Sequence, residues 1–435
     1  IFLCIRKGEY FMKQCMVVIF INSLMSSDYD VLKELDNFKY IISKGAVIKK
    51  VTNQYPNLKA PSTTTVLAGG FPDSHGIYFN DFIYSSRRYR EKQYEDIKVP
   101  TVLDLFKENK HNVGLINWPL TEYGRFKRNF VYIKSTSFKN IAKGILRGSS
   151  FYMAKNIFKY SNILKIGMQP EHDNFSSILA MELLEQASCN VIFMNFDHLE
   201  YVRKRYSVNS DYSIKALESI DRKLGDLISW CRNKNILDAL SLCLVSSGGP
   251  YDCKFVVNIN YALLKNDFIK ILKGKVKNYI AYAKCEGGSA FIYLKNPSNI
   301  NEYGRVKVFL EDFVNKNSGY LKAIYDKNDE NIHSNGFSFR LECRPNCVFN
   351  DGFNKNDYIE EFDLSFCDVN SKISRSYLGY SNEENSNGLF IAFGKGINTG
   401  IKINKCSIID VAPTIASFMD LNFECSGRVI EEMKK

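Results

Sequence analysis

The stretch that decides the reading is Tyr55-Pro-Asn-Leu-Lys-Ala-Pro-Ser-Thr-Thr-Thr-Val-Leu-Ala-Gly-Gly-Phe-Pro-Asp-Ser-His-Gly-Ile-Tyr-Phe-Asn80. A helix is expected to start near Ala60–Ser62, and His75 falls in the turn after it. Ser62, Thr63, Thr64 and Thr65 crowd its first turn, where hydroxyls commonly act as caps rather than as nucleophiles. Outward from this stretch, short apolar runs alternate with helix-period segments. Strands are expected at Val17–Ile21, Ala46–Val51, Val113–Asn117, Val191–Phe196, Leu240–Ser246 and Leu389–Phe393. Helices are expected near Tyr29–Lys44, Thr101–Glu108, Ser177–Gln186, Asp211–Asn233 and Asp410–Met419. In Asp211–Asn233 the residues Ile214, Leu217, Ile220, Leu224, Leu227 and Cys231 step by three or four, with Ser210 as N-cap. Such alternation predicts an α/β fold, a mostly parallel sheet with helices on both faces. In such sheets the chemistry gathers at the carboxyl ends of the strands.

The chain has 435 residues, 45% hydrophobic and 24% charged, which excludes disordered and fibrous classes. Its 58 Lys and Arg exceed 47 Asp and Glu by 11. That surplus permits attraction to anions without predicting a nucleic-acid binder. No apolar run approaches the ~18 residues of a transmembrane helix. The twelve Cys are scattered singly, so neither a zinc knuckle nor a disulfide scaffold is indicated; Cys343 and Cys347 come closest and read as ordinary cysteines. Met16–Ile21 reads as a first core strand rather than a signal segment. Residue 1 is Ile, so the natural start is expected to lie upstream, and secretory and cytoplasmic compartments both stay open.

Residues 251–369 read differently. A Lys-rich helix (Leu263–Lys277), a strand (Gly288–Leu294), a helix (Asn301–Lys316) and strands near Ala323 and Phe337–Cys343 suggest an inserted α+β subdomain. Residues 1–250 and 370–435 would then form the core. Asn328–Asn335 and Ser381–Asn387 read as loops. The basic runs Arg87–Arg90, Arg125–Arg128 and Arg203–Arg205 carry aromatic neighbours, but no binding motif accompanies them. They read as solvated faces, with no nucleic-acid partner.

The opening stretch resembles the nucleophile segment of the type I phosphodiesterase/nucleotide pyrophosphatase family, in the alkaline phosphatase superfamily. Pro61, Gly69, Pro72, His75, Gly76, Ile77 and Asn80 match its pattern without a gap. Asn117-Trp-Pro119 looks like its later Trp-Pro, and Ile220-Asp-Arg-Lys-Leu-Gly225 like its Val-Asp-x-x-x-Gly helix. Leu389–Gly394 and Ile409–Ala416 are similar to its closing strand and helix. The resemblance implies an alkaline-phosphatase-like three-layer sandwich. It also implies two zinc ions held by three Asp and three His, with a Thr or Ser nucleophile, as in-line phosphoryl displacement requires.

Carried over position by position, the resemblance places Asn22 or Ser23 at the first ligand and Lys59 at the nucleophile. Glu200 and Lys204 fall at the next two ligands, Ser247 and Gly248 at the following pair, and Leu378 at the last His. Of these seven, Glu200 alone keeps ligand chemistry. With five His in all, sliding the register cannot restore three imidazoles; His198, beside Asp197 and Glu200, is the one near a strand end. The expectation is therefore a non-catalytic homologue with no cofactor. Lys59, Ser62, Lys204 and the N–H groups of a helix start would bind a phosphate-bearing ligand or other anion, unless Glu200 pairs with either lysine and quenches them. A protein partner is the other expected ligand. The competing expectation is an active phosphodiesterase with a rearranged metal site around Asp197, His198 and Glu200, and two zinc ions.

Overall fold

The structure is a computed structural model. It describes residues 3–6, 9–12, 14–53, 55–80, 82–83, 89–90, 93–133, 137–166, 168–327, 336–353, 355–362, 374–381 and 386–435. Among the described residues the largest sheet has eight strands. In chain order they are β1 (Cys15–Ile21), β2 (Gly45–Thr52), β3 (Val113–Ile116), β4 (Arg128–Phe130), β5 (Val191–Phe196), β6 (Leu240–Val245), β7 (Gly388–Gly394) and β8 (Ile401–Ser407). Their spatial order is β8-β2-β7-β6-β1-β5-β3-β4. All neighbours are parallel except those of β7, which runs antiparallel to β2 and β6.

The central strands are apolar without a break because helices cover both faces of the sheet. Side chains alternate across a strand. Val17, Ile19 and Ile21 of β1 therefore face one core, with helices α1 (Asp36–Lys44), α6 (Glu171–Glu185) and α8 (Asp211–Asn233). Met16, Val18 and Phe20 face the other, with α2 (Lys59–Ala68), α3 (Val102–Glu108) and α9 (Val411–Ser417). The hairpin α4 (Phe138–Arg147) and α5 (Ser150–Lys159) and the short α7 (His198–Tyr206) complete the set used below. Residues 255–350 add a four-stranded antiparallel sheet with the helix Ile300–Lys316 and a core of their own.

Three local expectations fail. The single helix expected over Tyr29–Lys44 is a turn at Tyr29–Leu32 followed by α1. The break is made by a distant carboxylate: Asp221 of α8 accepts the Phe38 N–H and the Asn37 side-chain amide, both at 2.8 Å, capping a new helix start. Gly225, one turn on, lets α8 come close, because a Cβ there would lie 2.6 Å from Asn37 Oδ1. The two residues that carried the Val-Asp-x-x-x-Gly resemblance therefore join these helices.

The helix expected over Leu263–Lys277 ends at Lys265 and gives way to the hairpin Ile269–Leu272/Lys275–Tyr279. Its turn holds Lys273 and Gly274 at positive φ, the conformation of tight hairpins. Its lysines alternate along strands rather than lining a helix. Arg203, read as part of a solvated basic run, is buried and bonded through both terminal nitrogens to Asp28 (2.6 and 3.0 Å). Arg87, Arg88 and Asn328–Asn335 lie outside the described residues.

Candidate functional site

The carboxyl ends of β6, β1 and β5 stand side by side, because these strands are neighbours in the sheet. They bring Ser247, Asn22 and Asp197 to one end, where the first turns of α2 and α7 add Lys59 and Glu200. Lys59 Nζ lies 2.5 Å from Asp197 Oδ1 and 3.6 Å from Glu200 Oε2. Lys204, one turn along α7, meets Glu200 Oε1 at 2.6 Å. Asn22 donates its amide to the same Asp197 oxygen at 2.6 Å and to Asn195 Oδ1 at 2.7 Å. Two ammonium and two carboxylate groups thus form a neutral, alternating cluster. Burial alone would lower the Lys59 ammonium, but Asp197 and Glu200 outweigh it and raise its pKa. Burial alone would raise Glu200, but Lys204 and Lys59 outweigh it and hold the carboxyl well below its usual range.

These donors do not suit a metal pair. A cation needs lone pairs converging on one point, whereas at Asp197 the N–H groups of Lys59 and Asn22 converge on the carboxylate. Gly248 has no side chain and leaves no room for one: its φ is +104°, and a Cβ would stand 2.0 Å from the Ser386 carbonyl oxygen. Ser247 is buried, its carbonyl taken by Asn57 Nδ2. Leu378 packs beside Leu58, Tyr78 and Phe79. His198 turns elsewhere. Burial first, then Lys223, lowers its pKa to about 4, opposed by Glu171. Among the described residues no three His, Cys, Asp or Glu side chains gather as one ion would require.

The segment of strongest resemblance holds α2 in place. His75 is buried, accepts the Ile77 N–H at Nδ1 and meets Thr65 Oγ1 at 3.0 Å through Nε2. Gly69 ends α2 at φ +60°, against Cys425. Asn80 Oδ1 accepts the Ala60 N–H at 2.9 Å. Pro61 has no N–H, and Ser62 N–H returns to the Leu58 carbonyl. The start of α2 is therefore largely satisfied from within, contrary to the expectation of N–H groups aimed at an anion. Ser62, expected to reach that anion, is fully buried and bonded to Asn53 and Asn57. Thr63 and Thr64 return their hydroxyls to carbonyls of the preceding turn.

The cluster forms the floor of a cleft of about 520 Å³, within the range of small-molecule sites. Tyr132, Trp118, Lys143, Arg147 and Glu122 line it as well. Trp118 belongs to the Asn117-Trp-Pro119 motif, but sequence reasoning missed Tyr132, Lys143, Arg147 and Glu122. α4, which supplies Lys143 and Arg147, matches no motif, and only packing brings it to the strand ends. Asp197 was in view as a neighbour of Glu200, but spacing did not show that it meets Lys59 and Asn22 directly.

The family model described as type I phosphodiesterase / nucleotide pyrophosphatase matches residues 16–342. Similar solved structures include murine ectonucleotide pyrophosphatase/phosphodiesterase 5, 15% identical with a TM-score of 0.68, covering 97% of this chain and 100% of that one. An inactive form of the murine protein in complex with AMP matches at 15% identity and TM-score 0.67, with the same coverage. The human counterpart matches at 16% and 0.66, covering 95% of this chain and 97% of that one. At such identities these likenesses establish the fold. No curated protein matches the chain. The match over residues 16–342 does establish membership: the chain belongs to the type I phosphodiesterase/nucleotide pyrophosphatase family.

Proposed function

We propose that this protein is a non-catalytic member of its family, in which lysine ammonium groups stand where the relatives' chemistry would call for metal ions. The observation that carries the reading is Lys59 Nζ, 2.5 Å from Asp197 and 3.6 Å from Glu200, at the position to which the resemblance assigns the nucleophile. An ammonium neutralises carboxylates as a cation would. It has no open coordination position for a phosphate oxygen, and it lowers no bound water's pKa. Lys59 also lacks the hydroxyl that forms and releases a phosphoester. The ligand we propose is a phosphate-bearing small molecule of nucleotide size. Support comes from the cleft volume, from Lys143 and Arg147 in its wall, and from the AMP held by the inactive murine relative.

The test is metal content with turnover. After incubation with zinc and gel filtration, the protein should carry well under one equivalent. It should hydrolyse p-nitrophenyl thymidine monophosphate no faster than buffer. About two bound equivalents with zinc-dependent hydrolysis would overturn the proposal in favour of an active phosphodiesterase with a rearranged site. AMP titration tests the ligand separately, with Arg147→Ala expected to weaken binding about ten-fold or more, as loss of a charge-assisted hydrogen bond does.

A further inference from the structure

The chain's positive charge is not spread along it. Between Tyr123 and Pro170 there are ten Lys and Arg and no Asp or Glu, against a surplus of 11 for all 435 residues. Outside this stretch acidic and basic residues nearly cancel. Its described residues include the β4 edge strand and the α4–α5 hairpin. Both ends of the hairpin's elbow are tied to residues 121–130: Tyr123 N–H donates to the Arg147 carbonyl, Ser149 N–H donates to the Asn129 carbonyl, and the Ser149 hydroxyl accepts the Asn129 N–H.

The hairpin also exposes large apolar side chains. Phe138 is 87% exposed, Phe151 86%, Phe158 86% and Leu146 69%. On α5, Phe151, Ala154, Lys155 and Phe158 fall on one face at three- and four-residue spacing, and all four are exposed. On α4, Phe138, Lys139, Lys143 and Leu146 likewise share the exposed side. The opposite sides pack inward through Ile141, Ile145, Met153 and Ile157. Glu182 pairs with Lys159 and Glu171 with Lys165.

We infer that the α4–α5 hairpin is a docking surface for an anionic lipid bilayer. Phenylalanines and a leucine interleaved with lysines match a headgroup boundary, into which the rings insert while the ammonium groups meet lipid phosphate and carboxylate. Charge complementarity selects the partner, because a stretch without a single carboxylate repels nothing on an anionic surface. Nucleic acid fits less well, since the rings stand out on helix surfaces instead of lining a groove that tracks a backbone. Asn140, Lys143 and Arg147 of α4 also line the cleft, so docking would hold the cleft mouth beside the membrane. This inference does not depend on whether the site is catalytic.

Sedimentation with vesicles tests it. The full chain should pellet with phosphatidylcholine vesicles containing 40% phosphatidylserine and stay in solution with phosphatidylcholine alone. Each basic residue near such a surface is worth about five-fold in partitioning, so Lys139→Glu with Lys155→Glu should reduce binding by about 25-fold or more. Phe151→Ser with Phe158→Ser should reduce it comparably without altering the thermal midpoint, since both rings are exposed. Lys402→Glu with Lys405→Glu, on exposed positions of β8, should leave most of the binding intact. Equal pelleting with both vesicle types, or undiminished binding by both hairpin variants, would overturn the inference. So would a preference for a single-stranded RNA oligonucleotide over the anionic vesicles.

Discussion

Replacing Lys59 with Met keeps the aliphatic stem and removes the ammonium. Asp197 loses a partner at 2.5 Å and Glu200 one at 3.6 Å. The carboxylate oxygens that Lys59 bridges can be no farther apart than the sum of those contacts. At that distance, and at an effective dielectric of about 20, two like charges repel by about 3 kcal/mol. Removing one partner of a buried pair costs about 3–5 kcal/mol. Lys59 keeps 28% of its side chain exposed and Asp197 15%, and Lys204 still neutralises Glu200. The expected loss is therefore about 2 kcal/mol at pH 7. At about 2 cal/mol/K of unfolding entropy per residue, a chain of this length should show a midpoint about 2 °C lower.

The sign with pH follows from Glu200, whose folded pKa is depressed. Its contribution is full above the ordinary value of 4.5 and is lost as pH falls toward about 2. The gap between parent and variant should close over that range. The variant also leaves two carboxylates facing each other, so zinc should stabilise Lys59→Met. The gain at one hundred times the dissociation constant would be about 2.7 kcal/mol, and the parent should gain far less. Urea unfolding with and without zinc is the assay. The reasoning fails if the variant matches the parent within about 0.5 kcal/mol and zinc acts equally on both.

Two further outcomes are expected. His172 is buried, and burial, opposed by Asp197 and aided by Lys59, lowers its pKa from 6.5 to about 4. A depressed imidazole makes the unfolded chain the better proton acceptor, so stability should fall by roughly 3 kcal/mol between pH 6.5 and 4. His198 acts in the same direction, and Asp173, raised to about 6 chiefly by burial, acts against it; His172→Phe should flatten the slope measured by urea unfolding. Gly248→Ala should cost more than about 3 kcal/mol, combining left-handed backbone strain with a Cβ driven onto the Ser386 carbonyl. A variant whose thermal midpoint matches the parent's would show that this strand end is open to a side chain.

The scaffold was legible because its determinants are local and repeat. Continuous apolar runs gave β1, β5 and β6, and a three-and-four spacing gave α8 at its observed bounds with Ser210 as N-cap. The expectation failed where a distant group overrode propensity: Asp221 split Tyr29–Lys44 into two pieces, and Asp28 drew Arg203 inside. The surviving motif residues His75, Gly69, Asn80, Asp221 and Gly225 each hold one element against another. A chain can keep them for packing alone, whatever its strand ends do.

Sequence by itself determined the layered α/β scaffold and the residue types at the strand ends, because apolar periodicity and side-chain identity are properties of the chain. Tertiary structure alone decided what those residues do together. Lys59 and Asp197 are 138 positions apart, and their contact depends on β2 and β5 delivering them to one end of a single sheet. Charges act through distance in space, so their alternation, and the neutral cluster it makes, exists only once the sheet is formed.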